Sequence, residues 1–203
     1  MQHHRTFTLL EHFKLMNRAV CGLRLNQSMK KQRVMNKKRR ERIMLAISEV
    51  NGCALCSFVH TKLALTAHME LSEIHTLLAG DLQGVPEEDV LAVLFAKDFA
   101  ANHEVIDPNF YQKIVDYYGL PQARAIVCAS HVITMTTSIG ISLVLLKNTL
   151  TFRHQKGSRI WNELLIPLAT IVVFPLLYIG SWFVKPLTKV DVLPIERQLE
   201  VEP

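Results

Sequence analysis

The sequence has few cysteines and no purely apolar stretch at its N-terminus. Its 203 residues include only four cysteines, of which Cys53 and Cys56 are close together while Cys21 and Cys128 stand apart. This spacing excludes the dense disulfide framework of a small secreted protein. The first 24 residues mix histidines and charged side chains with apolar ones, so the hydrophobic region of a secretory signal is lacking. We therefore expect the bulk of the chain to lie in the cytoplasm.

Glycine and proline are also scarce, with eight of each, and no segment alternates apolar and polar residues as a half-buried strand does. Apolar residues instead recur at helical spacing over long stretches, which predicts an all-α protein. With 49% apolar or aromatic residues, the chain is long enough for one core-bearing domain plus an appendage. Two large independent domains are not expected.

Positive charge is concentrated in one place. The net charge is +5, and eight Lys or Arg residues fall between Lys30 and Arg42. Such a cluster can contact nucleic acid or anionic lipid headgroups, but it is more often the solvated face of a helix. We favour the solvated face and do not expect a nucleic-acid partner.

Capping and turn residues divide the chain into segments. Asn26-Gln27-Ser28 predicts a break after a first helix, Asn51-Gly52 predicts a helix end with positive φ, and Asp107-Pro108 predicts a helix start. The predicted helices cover about 6–25, 34–50, 53–67, a segment starting at 72, 87–102 and 111–118. The predicted domains are an N-terminal helix (1–29), a helical domain (30–150), a basic linker (151–163), a membrane helix (164–184) and a polar tail (185–203).

Two long segments carry no charge. Residues 125–146 are rich in serine and threonine, which favours a helix buried within protein over one exposed to lipid. Residues 164–184 have few polar groups and are flanked by Trp161 and Trp182, as in an interfacial belt, so we predict a transmembrane helix there. The alternative is a buried helix that mediates oligomerisation. Lys and Arg are nearly balanced on the two sides, and only the thiol pair and the missing signal place the main domain inside the cell.

Cys53, Cys56 and His60 form the motif with the clearest chemistry. In a helix their spacing of three and then four residues places two thiols and a base on one face. Cys53 also opens the predicted helix, where unpaired backbone N–H groups favour thiolate over thiol. A thiolate attacks peroxides or disulfides, and a second thiol at this spacing can close a disulfide on the resulting sulfenic acid.

Four other kinds of site can contain a cysteine pair of this spacing. Structural zinc would require four ligands, and no second cysteine pair is present. Covalent haem would require histidine directly after the second cysteine, where Ser57 stands. A thioredoxin-like site would need a strand before the motif. A purely structural pair of cysteines stays open on spacing alone. No metal or cofactor is expected.

The segment from Arg40 to Lys62 resembles the signature of the carboxymuconolactone decarboxylase-like superfamily, specifically its alkylhydroperoxidase D-type branch. There a glutamate precedes a C-x-x-C pair by twelve residues and a histidine follows four residues after the second cysteine, as Glu41, Cys53, Cys56 and His60 do here. The resemblance extends from about residue 30 to residue 150.

This resemblance implies an all-helical domain that assembles as trimers or hexamers and reduces hydroperoxides with electrons from a dithiol reductant protein. It implies that Cys56 becomes the sulfenic acid and Cys53 resolves it, while Glu41 and His60 relay protons. The decarboxylase branch lacks the cysteine pair, which argues against lactone decarboxylation. One residue departs from the best-studied peroxidases: Leu55 stands where they have a histidine, and an apolar side chain cannot relay a proton.

Three further residues have an expected place in the fold or the site. Glu49 lies nearer in sequence to the cysteines than Glu41 and is an alternative acid partner, whereas Cys21 and Cys128 are expected in the core. The leading hypothesis is a membrane-anchored oxidoreductase that cycles Cys53 and Cys56 between dithiol and disulfide. The runner-up is a non-enzymatic redox-sensing or assembly module of the same fold, and a weaker third is a nucleic-acid binder.

Overall fold

The computed structural model describes residues 5–31, 34–153 and 158–183, with side chains throughout except at 21–31 and 182–183. Within these ranges the chain forms eight α-helices and no strand, which confirms the all-α class. The helices are α1 (Leu9–Lys31), α2 (Lys37–Val50), α3 (Ala54–Thr66), α4 (Leu71–Leu78), α5 (Glu87–Ala101), α6 (Pro108–Tyr118), α7 (Leu120–Leu150) and α8 (Ile160–Phe183).

Local side-chain chemistry accounts for most helix boundaries. Asn36 caps α2 by accepting a hydrogen bond from the Arg39 backbone N–H, and Asp107 caps α6, with Pro108 in its first turn. Gly119 separates α6 from α7 with a φ of 78°. The predicted break at residues 26–28 is wrong, because α1 continues through them to Lys31. Polar residues inside a helix lower its stability only slightly. Because α1 packs along α7, it stays helical through this segment.

Two apolar cores divide α7 between them. The domain core surrounds the N-terminal half of α7 and is built with α2, α5 and α6; its largest buried members include Ile43, Ile47, Phe95, Phe99, Tyr111, Ile126 and Ile133. The cysteine core surrounds the C-terminal half of α7 and joins it to α1, α8 and both cysteines of the motif; its buried members are Phe7, Leu15, Met16, Ala19, Cys53, Cys56, Met135, Ile141, Leu145 and Ile166. Helix α7 therefore connects the helical domain to the cysteine core.

Both uncharged segments form helices long and apolar enough to cross a membrane. In the most apolar window of α7, 67% of the residues are buried inside the protein, which agrees with the prediction of a buried helix. In the corresponding window of α8 only 6% are buried. Helix α8 is thus a candidate membrane span, and it begins at Ile160, four residues before the predicted start.

Helix α8 is held against the protein by polar contacts as well as apolar ones. The buried ring of His12 on α1 hydrogen-bonds through Nδ1 to Ser138 Oγ of α7 at 2.6 Å and through Nε2 to Thr170 Oγ1 of α8 at 2.8 Å. Near the start of α8, the buried Glu163 carboxylate accepts a hydrogen bond from Thr149 of α7 at 3.2 Å. These bonds connect α8 to α7 at two levels.

The basic cluster is only partly a solvated face. Lys37 and Lys38 are exposed, as predicted. Arg39 and Arg42 are buried instead and form ion pairs with Asp89, and Arg42 also pairs with Glu73 at 2.5 Å. The interpretation is therefore wrong for these two arginines, because helix α2 directs them toward carboxylates on α4 and α5 that periodicity alone does not reveal.

Candidate redox site

A tight turn places Cys53 at the start of α3. Gly52 adopts a φ of 68°, a conformation that glycine enters without strain, as Asn51-Gly52 predicts. The Cys53 N–H then donates to the Ser48 carbonyl at 2.9 Å. Cys53 is the N-cap residue of α3, and its sulfur accepts a hydrogen bond from the Cys56 N–H at 3.3 Å. Its sulfur thus lies at the positive end of the helix dipole, where negative charge is favoured.

The two cysteines of the motif are in disulfide contact, with Cα atoms 5.3 Å apart, which is within the usual range for a disulfide. Both are largely buried, but Cys56 retains 7% of its surface and Cys53 only 1%. Cys56 is therefore the more accessible of the pair to a small reagent.

His60 and Glu41 form a hydrogen-bonded pair on the neighbouring helices α3 and α2. His60 Nδ1 lies 2.8 Å from Glu41 Oε2, and Arg40 donates to Glu41 Oε1 at 3.1 Å. Burial alone would raise the pKa of Glu41, but the hydrogen bond and charge of His60, with Arg40, outweigh it and hold the pKa below its usual value. Glu41 therefore stays ionised and orients the imidazole, one turn after Cys56 on α3.

Part of the chain, including the redox site, matches a known protein family. Residues 23–98 match the family described as "Carboxymuconolactone decarboxylase family", and this range contains Glu41, Cys53, Cys56 and His60. This segment, 76 of the 203 residues, is therefore similar to that family. Comparisons with curated proteins and with solved structures gave no match.

The residues covered by the family match differ from those covered by the predicted resemblance, although the two ranges overlap. The match begins at residue 23, before the predicted start at 30, and ends at residue 98 within α5. Helices α7 and α8 lie outside it, so contacts that they make with the cysteines are described from this chain alone.

Glycine at position 140 of α7 allows the close approach of α3. A Cβ atom on Gly140 would lie 2.9 Å from Cys53 Sγ and 3.1 Å from Cys56 Sγ, closer than side chains tolerate. Gly140 thus forms one wall of the redox site. It was missed in the sequence because it follows Cys56 by 84 positions and no local pattern marks it.

The structure also decides between the two candidate acids. Glu49 lies beside Gly80 and Lys97 instead, with Lys97 Nζ 3.6 Å from its carboxylate, so it is not the partner of His60. Cys128 is buried, as predicted. Cys21 lies outside the described side chains.

One exposed apolar side chain lies beside the sulfurs. Leu55, between the two cysteines in sequence, is 40% exposed. Its Cδ2 lies 3.8 Å from the Cβ position of Gly140, so it packs at the junction of α3 and α7 next to the cysteines.

Proposed function

We propose that the protein is a dithiol peroxidase of the alkylhydroperoxidase D-type branch, which reduces hydroperoxides by cycling Cys53 and Cys56 between dithiol and disulfide. The observation that carries the proposal is the disulfide contact of the two cysteines on the helix that also holds the His60–Glu41 pair. A structural disulfide or buried pair would not need an oriented base one turn away.

The reaction balances with the two thiols alone. The Cys56 thiolate attacks one peroxide oxygen and the O–O bond breaks; the alcohol leaves with a proton, and Cys56 becomes a sulfenic acid. The Cys53 thiolate then attacks the Cys56 sulfur, the S–O bond breaks, and water leaves as the disulfide forms. Two electrons pass from the dithiol to the peroxide. The greater exposure of Cys56 supports its role as the attacking residue.

His60 and Glu41 supply the proton transfers. The hydrogen bond from His60 Nδ1 to the ionised Glu41 orients the ring and leaves Nε2 to take a proton from a thiol and return it to the leaving oxygen. Leu55, between the cysteines, cannot take part in this relay. His60 therefore carries the proton, and Glu41 acts by orienting its ring.

We further propose that a dithiol reductant protein restores the thiols, that the helical domain faces the cytoplasm, and that copies of the chain assemble as homo-oligomers. Length and composition support membrane association, since α8 is apolar enough to span a bilayer. The reductant and the assembly follow from the superfamily resemblance, and the orientation follows from the thiol pair, since thiols persist in a reducing compartment.

The test uses the reduced full chain in detergent, with tert-butyl hydroperoxide as substrate and dithiothreitol as reductant. We expect catalytic peroxide loss that Cys56→Ser abolishes. Cys128→Ala is the control, because Cys128 is also a buried cysteine but lies outside the site, and it should keep most of the activity. Full activity in Cys56→Ser would overturn the proposal. One stoichiometric oxidation without turnover would favour the redox-sensing module, for which Leu55 is the supporting feature.

A further inference from the structure

We infer that Arg5 is a positioning residue for the cysteine pair: it holds the Asn51-Gly52 turn from which Cys53 enters α3. The inference deepens the proposed function and rests on the roles that this function gives the two cysteines. Two sets of contacts carry it, those that Arg5 makes with the turn and those that fix Arg5 itself.

Arg5 contacts the turn through both its backbone and its side chain. Its backbone N–H donates to the Asn51 carbonyl at 3.3 Å, and its Nη1 lies 3.5 Å from Asn51 Oδ1. Asn51 directly follows α2 and is only 1% exposed, so water is a poor substitute for these partners. The N–H groups of Asn51, Gly52 and Cys53 all donate back to carbonyls of α2. Arg5 therefore connects the turn to a part of the chain outside α2.

A buried carboxylate fixes the Arg5 side chain. The guanidinium forms two hydrogen bonds with Glu104, at 2.5 and 3.1 Å, in the paired geometry that arginine and carboxylate favour. The side chains of Arg5 and Glu104 are 12% and 6% exposed, so salt screens the pair little. Glu104 lies just beyond α5 with a φ of 62°, a left-handed conformation that non-glycine residues seldom adopt. Both residues lie outside the family match at 23–98, so their role comes from this chain alone.

The segment between Arg5 and α1 is also held by side chains, and we call residues 5–8 the N-terminal strap. The Arg5 guanidinium lies over the Phe7 ring, 4.4 Å from its centroid, and Phe7 is buried in the cysteine core. Thr8 and Glu11 cap α1 reciprocally: the Thr8 N–H donates to Glu11 Oε2 at 2.7 Å, and the Glu11 N–H donates to Thr8 Oγ1 at 3.2 Å. The strap is therefore fixed at both ends.

The consequence of this arrangement falls on Cys53 rather than on Cys56. Cys53 caps α3 two residues after Asn51, and its sulfur accepts the Cys56 N–H from that position. In the proposed cycle Cys56 attacks first and Cys53 then closes the disulfide. A displaced turn should therefore slow the second step and spare the first.

The experiment separates the two steps without a peroxide. Dipyridyl disulfide is mixed with the reduced full chain in detergent, in a Cys21→Ala and Cys128→Ala background so that only the pair reacts. Attack by the Cys56 thiolate releases one pyridinethione and leaves a mixed disulfide on Cys56. Attack by the Cys53 thiolate on the Cys56 sulfur breaks that bond, releases a second pyridinethione and forms the protein disulfide. Stopped-flow absorbance follows both releases.

Arg5→Gln removes the guanidinium and keeps the backbone donor. We expect it to slow the second release at least tenfold and to leave the first within twofold. Glu104→Gln should have the same effect, and the double variant should be no slower than either single one, because both residues act through one ion pair.

Arg39→Gln is the matched control. The Arg39 side chain is 10% exposed and pairs with Asp89, much as Arg5 pairs with its carboxylate, but it lies at the other end of α2 from the turn. Arg39→Gln should leave both releases within twofold of the wild type.

Three results would overturn the inference: an unchanged second release in Arg5→Gln, equal slowing of both releases, or the same selective slowing in Arg39→Gln. Equal slowing would make the N-terminal strap a support for the whole fold. Failure of the proposed function is a separate result, because a chain that releases both pyridinethiones but turns over no hydroperoxide would refute the peroxidase function and leave the role of Arg5 standing. If Arg5→Gln does not fold, Glu104→Gln tests the same ion pair.

Discussion

Helices α7 and α8 are similar as sequence but different in the folded protein. Each contains a stretch long and apolar enough to cross a membrane. Yet 67% of that stretch is buried in protein in α7 and only 6% in α8. The difference shows that an uncharged helix acquires its environment from what its side chains can pack against.

The two helices differ in their content of polar side chains. In α7, hydroxyl groups donate to backbone carbonyls three or four residues earlier, as Ser130 does to Ile126, Thr134 to Ser130 and Ser142 to Ser138. These bonds satisfy most of the buried hydroxyl groups of α7, although the buried Thr137 hydroxyl has no hydrogen-bond partner among the residues that the structure describes. Its small side chains also permit close packing, including the contact of Gly140 with the cysteines. Helix α8 has bulky aliphatic residues on its outer face and packs with its inner face alone.

The largest expected difference between the helices is in the free energy of unfolding that is lost when an isoleucine is truncated to alanine. Ile133 on α7 is buried in the domain core, and Ile133→Ala should lower the free energy of unfolding by about 2–5 kcal/mol because it leaves a cavity. Ile171→Ala on α8 removes the same atoms from an exposed position and should change it by less than about 0.5 kcal/mol. Urea unfolding of both variants in mild detergent measures this. Equal losses would mean that the outer face of α8 is covered.

The next effect concerns the histidine that connects both helices. Burial lowers the pKa of His12 to about 4, so the folded protein holds the ring neutral while the unfolded chain protonates it near pH 6.5. The resulting stability is fully present above about pH 6.5 and is lost as the pH falls toward 4, a loss of roughly 3 kcal/mol. His12→Gln should abolish this part of the pH dependence.

Urea unfolding at pH 7 and pH 4.5 checks the His12 prediction. His75→Gln is the control, because His75 is exposed on α4, and it should keep the wild-type pH dependence. If His12→Gln loses as much stability on acidification as the wild type, protonation of His12 does not cause this part of the pH dependence.

The smallest expected effect compares one glycine from each helix. Gly140→Ala forces a methyl group against both sulfurs and should destabilise the protein by about 1–3 kcal/mol and slow peroxide turnover. Gly180→Ala on α8 has no atom within 4 Å of the new methyl and should stabilise the helix by up to about 1 kcal/mol. Thermal unfolding and the peroxide assay of both variants measure the difference. Unchanged turnover in Gly140→Ala would show that α7 does not constrain the cysteines.

Much of the helical pattern was predictable because it depends on neighbouring residues. The end of α2 at Asn51-Gly52, the start of α3 at Cys53 and the Asp107-Pro108 start of α6 all follow from capping and turn chemistry. The break expected at residues 26–28 failed because packing of α1 along α7 overrides weak local preferences. Arg39 and Arg42 were mistaken for surface residues because their carboxylate partners lie 31 to 50 positions away.

By itself the sequence determined the all-α class and the column of Cys53, Cys56 and His60, because helical spacing and capping act over a few residues. Only the tertiary structure decided that Glu41 rather than Glu49 meets His60 and that Gly140 closes the site. These contacts join residues far apart in the chain. Their geometry follows from how helices pack, which no local pattern records.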